Sequence, residues 1–211
     1  MSRKEVSDVK DAKFIVFEGI DGCGKSTQLD RFVKALQARG RAVTVTKEPT
    51  DNEIGKYLRS LLQGKVSHTP TEQAALFVLD RIRHNREKGG IEQTLASGSD
   101  VVCDRYYYSS LSYQGYVCDY EWIKAMNCQC PDIRRPDLCI FLDLPPAVSL
   151  ERITARGGEK EIFETEETLT RVREAFLRTF RDLPDRVAIV DATGTPDEVA
   201  ERVWAAAKDL F

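Results

Sequence analysis

The sequence lacks an excess of positive charge. Lys and Arg total 31 against 34 for Asp and Glu, a formal charge of −3. A chain that wraps nucleic acid usually carries a basic surplus, so that class loses ground. It also lacks long apolar runs. None approaches the roughly 20 residues that a membrane helix needs, and the charged start MSRKEVSDVKDAK has no apolar signal core. Histidine is scarce, with 2 in 211 residues, and the C-x-x-C pairs of a zinc site are missing. Cys23, Cys103, Cys118, Cys128, Cys130 and Cys139 are scattered, which points to reduced thiols rather than a disulfide framework. Cys128 and Cys130, with Cys118 upstream, are the one set that could supply three soft ligands; buried or idle thiols are the simpler reading. The expectation is a cytoplasmic protein with a flexible start over residues 1–12 and a single domain over 13–211, free of nucleic-acid and membrane partners.

What is present alternates between strand and helix. Phe14–Phe17 is an apolar, β-branched and aromatic run. Ser26–Arg39 then repeats Leu29, Phe32, Val33 and Leu36 at helical spacing and stops at Gly40. Further strands are expected at Ala42–Thr46, Asp100–Cys103, Leu138–Leu142 and Val187–Val190. Helices are expected at Glu53–Leu62, Thr71 to about Leu95, Tyr108–Gly115, Tyr120–Asn127, Pro146–Ala155, Glu166–Arg181 and Pro196–Leu210. The strands read as continuous apolar runs, as in a parallel sheet covered on both faces. The fold class is therefore α/β: a three-layer sandwich around a five-stranded parallel sheet.

The strongest chemical signal is Gly19-Ile-Asp-Gly-Cys-Gly24-Lys25-Ser26, which fits G-x-x-x-x-G-K-[ST] between a strand and a helix. Backbone amides must face an anion at close range, and side chains would block them, so glycines fill the turn. Gly19, Asp21, Gly22, Cys23, Gly24, Lys25, Ser26 and Thr27 form the expected ATP cradle. Lys25 reaches outer phosphates and Ser26 ligates Mg²⁺. Asp104-Arg105 follows the strand that ends at Cys103. A carboxylate there sits at the ligand rim of a parallel sheet and can hold the metal, while Arg105 offers a fork for phosphate oxygens. No Asn-Lys-x-Asp guanine reader is found, which argues against a GTPase. Chain length argues against larger ATP-driven machines. Arg156-Gly-Gly-Glu-Lys160-Glu is a polar stretch suited to closing over a γ-phosphate, a lid at about 156–166.

The segments FEGIDGCGKSTQ, KEPTDNEIGKYLRSLL, LFVLDRIRHN, DRYYYSSLSYQG, RPDLCIFLDLPP and VDATGTPDEV, in that order, resemble the thymidylate kinase family of nucleoside monophosphate kinases. The resemblance implies transfer of the γ-phosphoryl of ATP to dTMP with Mg²⁺, in a homodimer. It implies that Asp21 contacts the deoxyribose 3′-hydroxyl, that Phe77 stacks on the pyrimidine and that Arg81 reads a base carbonyl. From the residues alone Phe77 reads as core. Arg105 becomes the clamp on the acceptor phosphate, assisted by Arg59. Ser110, Tyr113 and Gln114 fall at the base and the sugar 2′ edge, Ala192 and Thr193 at adenine, and Arg156 on the lid. The chain departs from the family in two places. Its phosphate loop carries no basic residue between Gly19 and Gly24, so it resembles the members whose lid supplies the catalytic arginines, yet its lid offers only Lys160 beyond Arg156. Glu48-Pro49-Thr50 replaces the glycine pair or arginine that many members have after the proline. Two alternatives stay open at this point: a kinase for another pyrimidine nucleotide such as dUMP, and a nucleotide-binding paralogue without kinase activity.

Overall fold

The computed structural model describes residues 11–156 and 165–211. Five parallel strands, β1 (Phe14–Glu18), β2 (Val43–Lys47), β3 (Asp100–Asp104), β4 (Leu138–Asp143) and β5 (Val187–Asp191), form one sheet in the order β2-β3-β1-β4-β5. The helices are α1 (Lys25–Gln37), α2 (Glu53–Leu62), α3 (Pro70–Arg86), α4 (Ile91–Ala96), α5 (Tyr107–Val117), α6 (Tyr120–Cys128), α7 (Pro146–Arg156), α8 (Glu166–Asp182) and α9 (Pro196–Ala207). They flank a five-stranded parallel α/β sheet, as expected.

Strand order explains which strands obey the buried-run expectation. The three central strands are buried almost throughout. β2 and β5 lie at the edges and do not follow it: Val45 and Ile189 are exposed. Each edge strand has only one neighbour, and the helices do not cover both of its faces. The single helix expected over Thr71 to Leu95 is two helices. Gly89, at φ 79°, breaks the run, and a side chain on Gly90 would collide with the His84 carbonyl at 2.4 Å. The last helix stops at Ala207 and gives way to a 3₁₀ turn over Lys208–Leu210. The start over 1–12 and the lid at about 156–166 fall mostly outside the described residues, and Lys160 falls wholly outside them.

Helix starts follow local chemistry. Thr69 caps α3 and Thr195 caps α9, each in a reciprocal box with a Glu three residues on and a Pro in the first turn. An aromatic column holds α5 and α8 on the sheet. Phe141 of β4 meets Phe176 and Phe180 of α8 with ring centres 5.1 and 5.0 Å apart. Phe176 in turn meets Tyr113 of α5 edge-on. Phe176 is fully buried, and cutting it to Ala would remove about 3–5 kcal/mol. That column fixes the face of α5 that carries Ser110, Tyr113 and Gln114.

Candidate active site

The phosphate loop is built by backbone. β1 ends at Glu18 and α1 begins at Lys25, with Gly24 as a cap at φ 96° that supplies no side chain. The first amides of α1 therefore have no capping side chain and no acidic residue beside them, the arrangement that favours an anion. Gly22 adopts φ 78°, and a Cβ there would strike the Ser149 carbonyl at 2.7 Å, so both conformation and space demand glycine. The Lys25 ammonium lies over the loop, donating to the carbonyls of Gly19 at 2.9 Å and Ile20 at 3.3 Å. Cys23 is buried behind it, and burial pushes its thiol pKa up. Ser26 and Thr27 face a pocket of about 220 Å³ shared with Asp21, Lys25, Asp104 and Arg105.

The parallel register sets Asp104 of β3 beside Phe17 of β1. The Asp104 Oδ1 atom is buried without a hydrogen-bond partner. An unpaired buried carboxylate oxygen is costly unless something cationic joins it. Its position in the pocket with the Ser26 hydroxyl fits a hard divalent cation. Arg105 has φ 66°, the one positive value outside glycine among the described residues. Such strain persists only where surrounding structure imposes it. Here the Arg105 amide donates to the Phe17 carbonyl at 2.9 Å. Its guanidinium donates to Asp21 and, at 3.2 Å, to Ser109, and lies over the Tyr113 ring. The Tyr113 hydroxyl donates to the other Asp21 oxygen at 3.4 Å. Burial alone would raise the Asp21 pKa, but Arg105 and Lys25 outweigh it and hold the carboxyl below its ordinary value.

A second cavity of about 290 Å³ opens on the far side of Asp21 and Arg105. Phe77 and Arg81 line it from one face of α3; Ser110, Tyr113 and Gln114 line it from α5. Arg81 is almost wholly buried. Its Nε donates to Glu48 at 2.8 Å, and one terminal nitrogen lies 2.6 Å from the same oxygen. The other terminal nitrogen donates to Asn127. Arg59 lies outside this lining. It donates to the carbonyls of Pro49 and Thr50 at 2.8 and 2.6 Å and pairs with Asp51, so it holds the loop rather than facing the cavity. Past the carboxyl end of the edge strand β5, Ala192 is buried and its amide donates to the Asp143 carbonyl at 2.8 Å. The Thr193 amide donates to Asp191 and its carbonyl accepts from Arg202. Arg156 closes α7.

Four contributors were not read from the sequence. Glu18 is fully buried and accepts from the amides of Tyr106 and Ser109 and from the Ser109 hydroxyl. It thereby caps α5, whose own cap residue Tyr106 offers no side-chain bond. Burial pushes the Glu18 pKa up to about 7 in spite of Arg105 and these donors. The signal was available: a carboxylate closes the otherwise apolar run Phe14–Glu18. Arg152 of α7 donates to the Ala192 carbonyl at 3.4 Å and lies 3.9 Å from where a Gly24 side chain would stand. It ties the phosphate loop to the 192–193 loop. Glu48 and Asn127 are the remaining two. Cys118, Cys128 and Cys130 are half-buried against the core. Among the described residues no three His, Cys, Asp or Glu side chains gather as a metal cluster.

A parallel α/β sheet, a glycine loop feeding a helix N-terminus, and an Asp-Arg pair at the end of the neighbouring strand fit a nucleotide-binding protein. The family model described as Thymidylate kinase matches residues 17–203. Thymidylate kinase of Solidesulfovibrio magneticus is 37% identical over 210 residues, covering 94% of this chain and 100% of that protein. Thymidylate kinase of Desulfosudis oleivorans is 38% identical over 205 residues, 92% of this chain and 95% of that one. Thymidylate kinase of Leptospira borgpetersenii is 40% identical over 189 residues, 89% of each. The chain belongs to the thymidylate kinase family. No helix among the described residues is long and apolar enough to cross a membrane.

Proposed function

We propose that the protein transfers the γ-phosphoryl group of ATP to dTMP, giving ADP and dTDP. The observation that carries this reading is the sharing of two residues. Asp21 and Arg105 line both the phosphate pocket and the second cavity. Two nucleotides lying in these spaces meet head to head across that pair. The second cavity, with an aromatic ring and a guanidinium on one helix face, suits a flat pyrimidine better than a larger purine pair of rings.

The acceptor phosphate is anionic at neutral pH, so the reaction is direct in-line transfer without a protein nucleophile or strong base. Positioning and charge neutralisation do the work. Lys25 turns from its loop carbonyls to the outer phosphates of ATP. Arg105 holds the acceptor phosphate, Asp21 orders the sugar, Phe77 stacks on the base and Arg81 meets a base carbonyl. Ser26 and Asp104 would hold Mg²⁺, which supplies charge neutralisation of the phosphates. Arg156 and Lys160 are assigned to the lid over ATP, and the loop at Ala192 and Thr193 to adenine. The protein acts in the cytoplasm as a homodimer. The test is an ADP-release assay across nucleosides and nucleotides. Turnover with dTMP well above that with dUMP, thymidine and purine monophosphates is expected. Equal turnover with dUMP, or tight ATP binding with no transfer to any acceptor, would overturn the reading.

A further inference from the structure

A buried chain of hydrogen bonds runs from the edge of the sheet to the second cavity. The Thr46 hydroxyl on β2 lies 2.7 Å from His84 Nε2. His84 Nδ1 lies 3.0 Å from one oxygen of Glu48, and the other Glu48 oxygen takes Arg81. Glu48 and His84 are both buried. A carboxylate bound to a guanidinium only accepts, so Nδ1 must carry the proton to Glu48. Nε2 bonds the Thr46 hydroxyl on the other side of the ring. Both Glu48 oxygens are thereby spoken for, one by His84 and one by Arg81.

The consequence falls on Arg81. Its Nε edge is fixed by Glu48 and its far nitrogen by Asn127. Its remaining side-chain hydrogen bonds are both to Ser110 Oγ, each at 3.3 Å. Two donors converging on one hydroxyl at that length are the weakest bonds the group makes. They are the ones a ring carbonyl entering the cavity would replace. His84 does not line that cavity; it faces a separate groove beside β2. We propose that His84 is a positioning residue for pyrimidine recognition: it holds Glu48 so that Arg81 presents its Ser110-facing edge to the base.

This rests on Arg81 as the reader of the base, so the experiment carries a variant of each. KM for dTMP, KM for ATP and kcat are measured for Arg81→Gln, His84→Leu and His84→Asn, with a melting curve on each to establish folding. His84→Leu should raise KM for dTMP about tenfold, leaving KM for ATP within about twofold. His84→Asn keeps a donor where Nδ1 stands and should recover KM for dTMP to within about threefold of the parent. Should the leucine variant fail to fold, His84→Gln replaces it, since its amide reaches toward Thr46 instead of Glu48. An unchanged KM for dTMP in the folded leucine or glutamine variant overturns the inference. So does an equal rise in both KM values, or an asparagine variant no better than the leucine one. If those results come with a raised KM for dTMP in Arg81→Gln, the inference alone falls. If Arg81→Gln leaves it unchanged, the reading of the cavity falls too.

Discussion

The two halves of the site are made of different material. The phosphate loop is backbone: glycines at positive φ, amides of a helix start, and a lysine resting on carbonyls. The facing cavity is side chain: a buried salt bridge between Glu48 and Arg81, tied to His84, Asn127 and Ser110 from four separate stretches of chain. A backbone cradle is preorganised by local conformation and owes little to the core. A buried charge network is part of the core, because removing one member strands the others. The halves should therefore fail differently when mutated.

The largest expected effect tests the buried half. Glu48→Ala leaves the Arg81 guanidinium unpaired in the interior and should destabilise the fold by about 3–5 kcal/mol, seen as a lower urea midpoint. A midpoint near the parent would show that the network is not part of the core. Next comes the cradle. Lys25→Ala should cut turnover by at least about 100-fold with the melting temperature nearly unmoved. A variant that instead melts early would erase the contrast between the halves. Smaller is Phe77→Ala, which should raise KM for dTMP about tenfold through lost stacking, with KM for ATP unaffected.

A pH-dependent effect concerns Glu18, which ends β1 and caps α5. Burial raises the Glu18 pKa to about 7 from an ordinary 4.5. Between those values the folded protein holds a proton that the unfolded chain has released, so this group's contribution to stability falls as pH rises. Glu18→Gln keeps an acceptor for the α5 amides and removes the titration. Its melting temperature should gain on the parent progressively from about pH 4.5 to about pH 7. A difference constant with pH would refute the assignment.

The same contrast governed what could be read beforehand. The cradle is contiguous in sequence, so Gly19 to Ser26 announced it, and β3 placed Asp104 and Arg105 opposite through simple parallel register. The central strands were legible because burial on both faces leaves only apolar residues. The edge strands were misjudged, since edge position depends on sheet order. The break at Gly89 and Gly90 was hidden by helical spacing that continues on both sides of it. Phe77 and Arg81 were visible only through family resemblance. Glu48, His84 and Asn127 meet across gaps of 33 to 46 residues from Arg81 or one another, and no local pattern marks such a meeting. Arg59 carries the opposite lesson: a basic residue near the loop serves its carbonyls.

The proposed reaction sets Arg105 and Asp21 between two nucleotides. A crystal structure with adenosine and thymidine joined through a chain of phosphates tests it most directly. The phosphates are expected on the amides of residues 22–26, with Arg105 at their junction and the pyrimidine between Phe77 and Arg81. A pyrimidine bound elsewhere, with that cavity left to water, would contradict it.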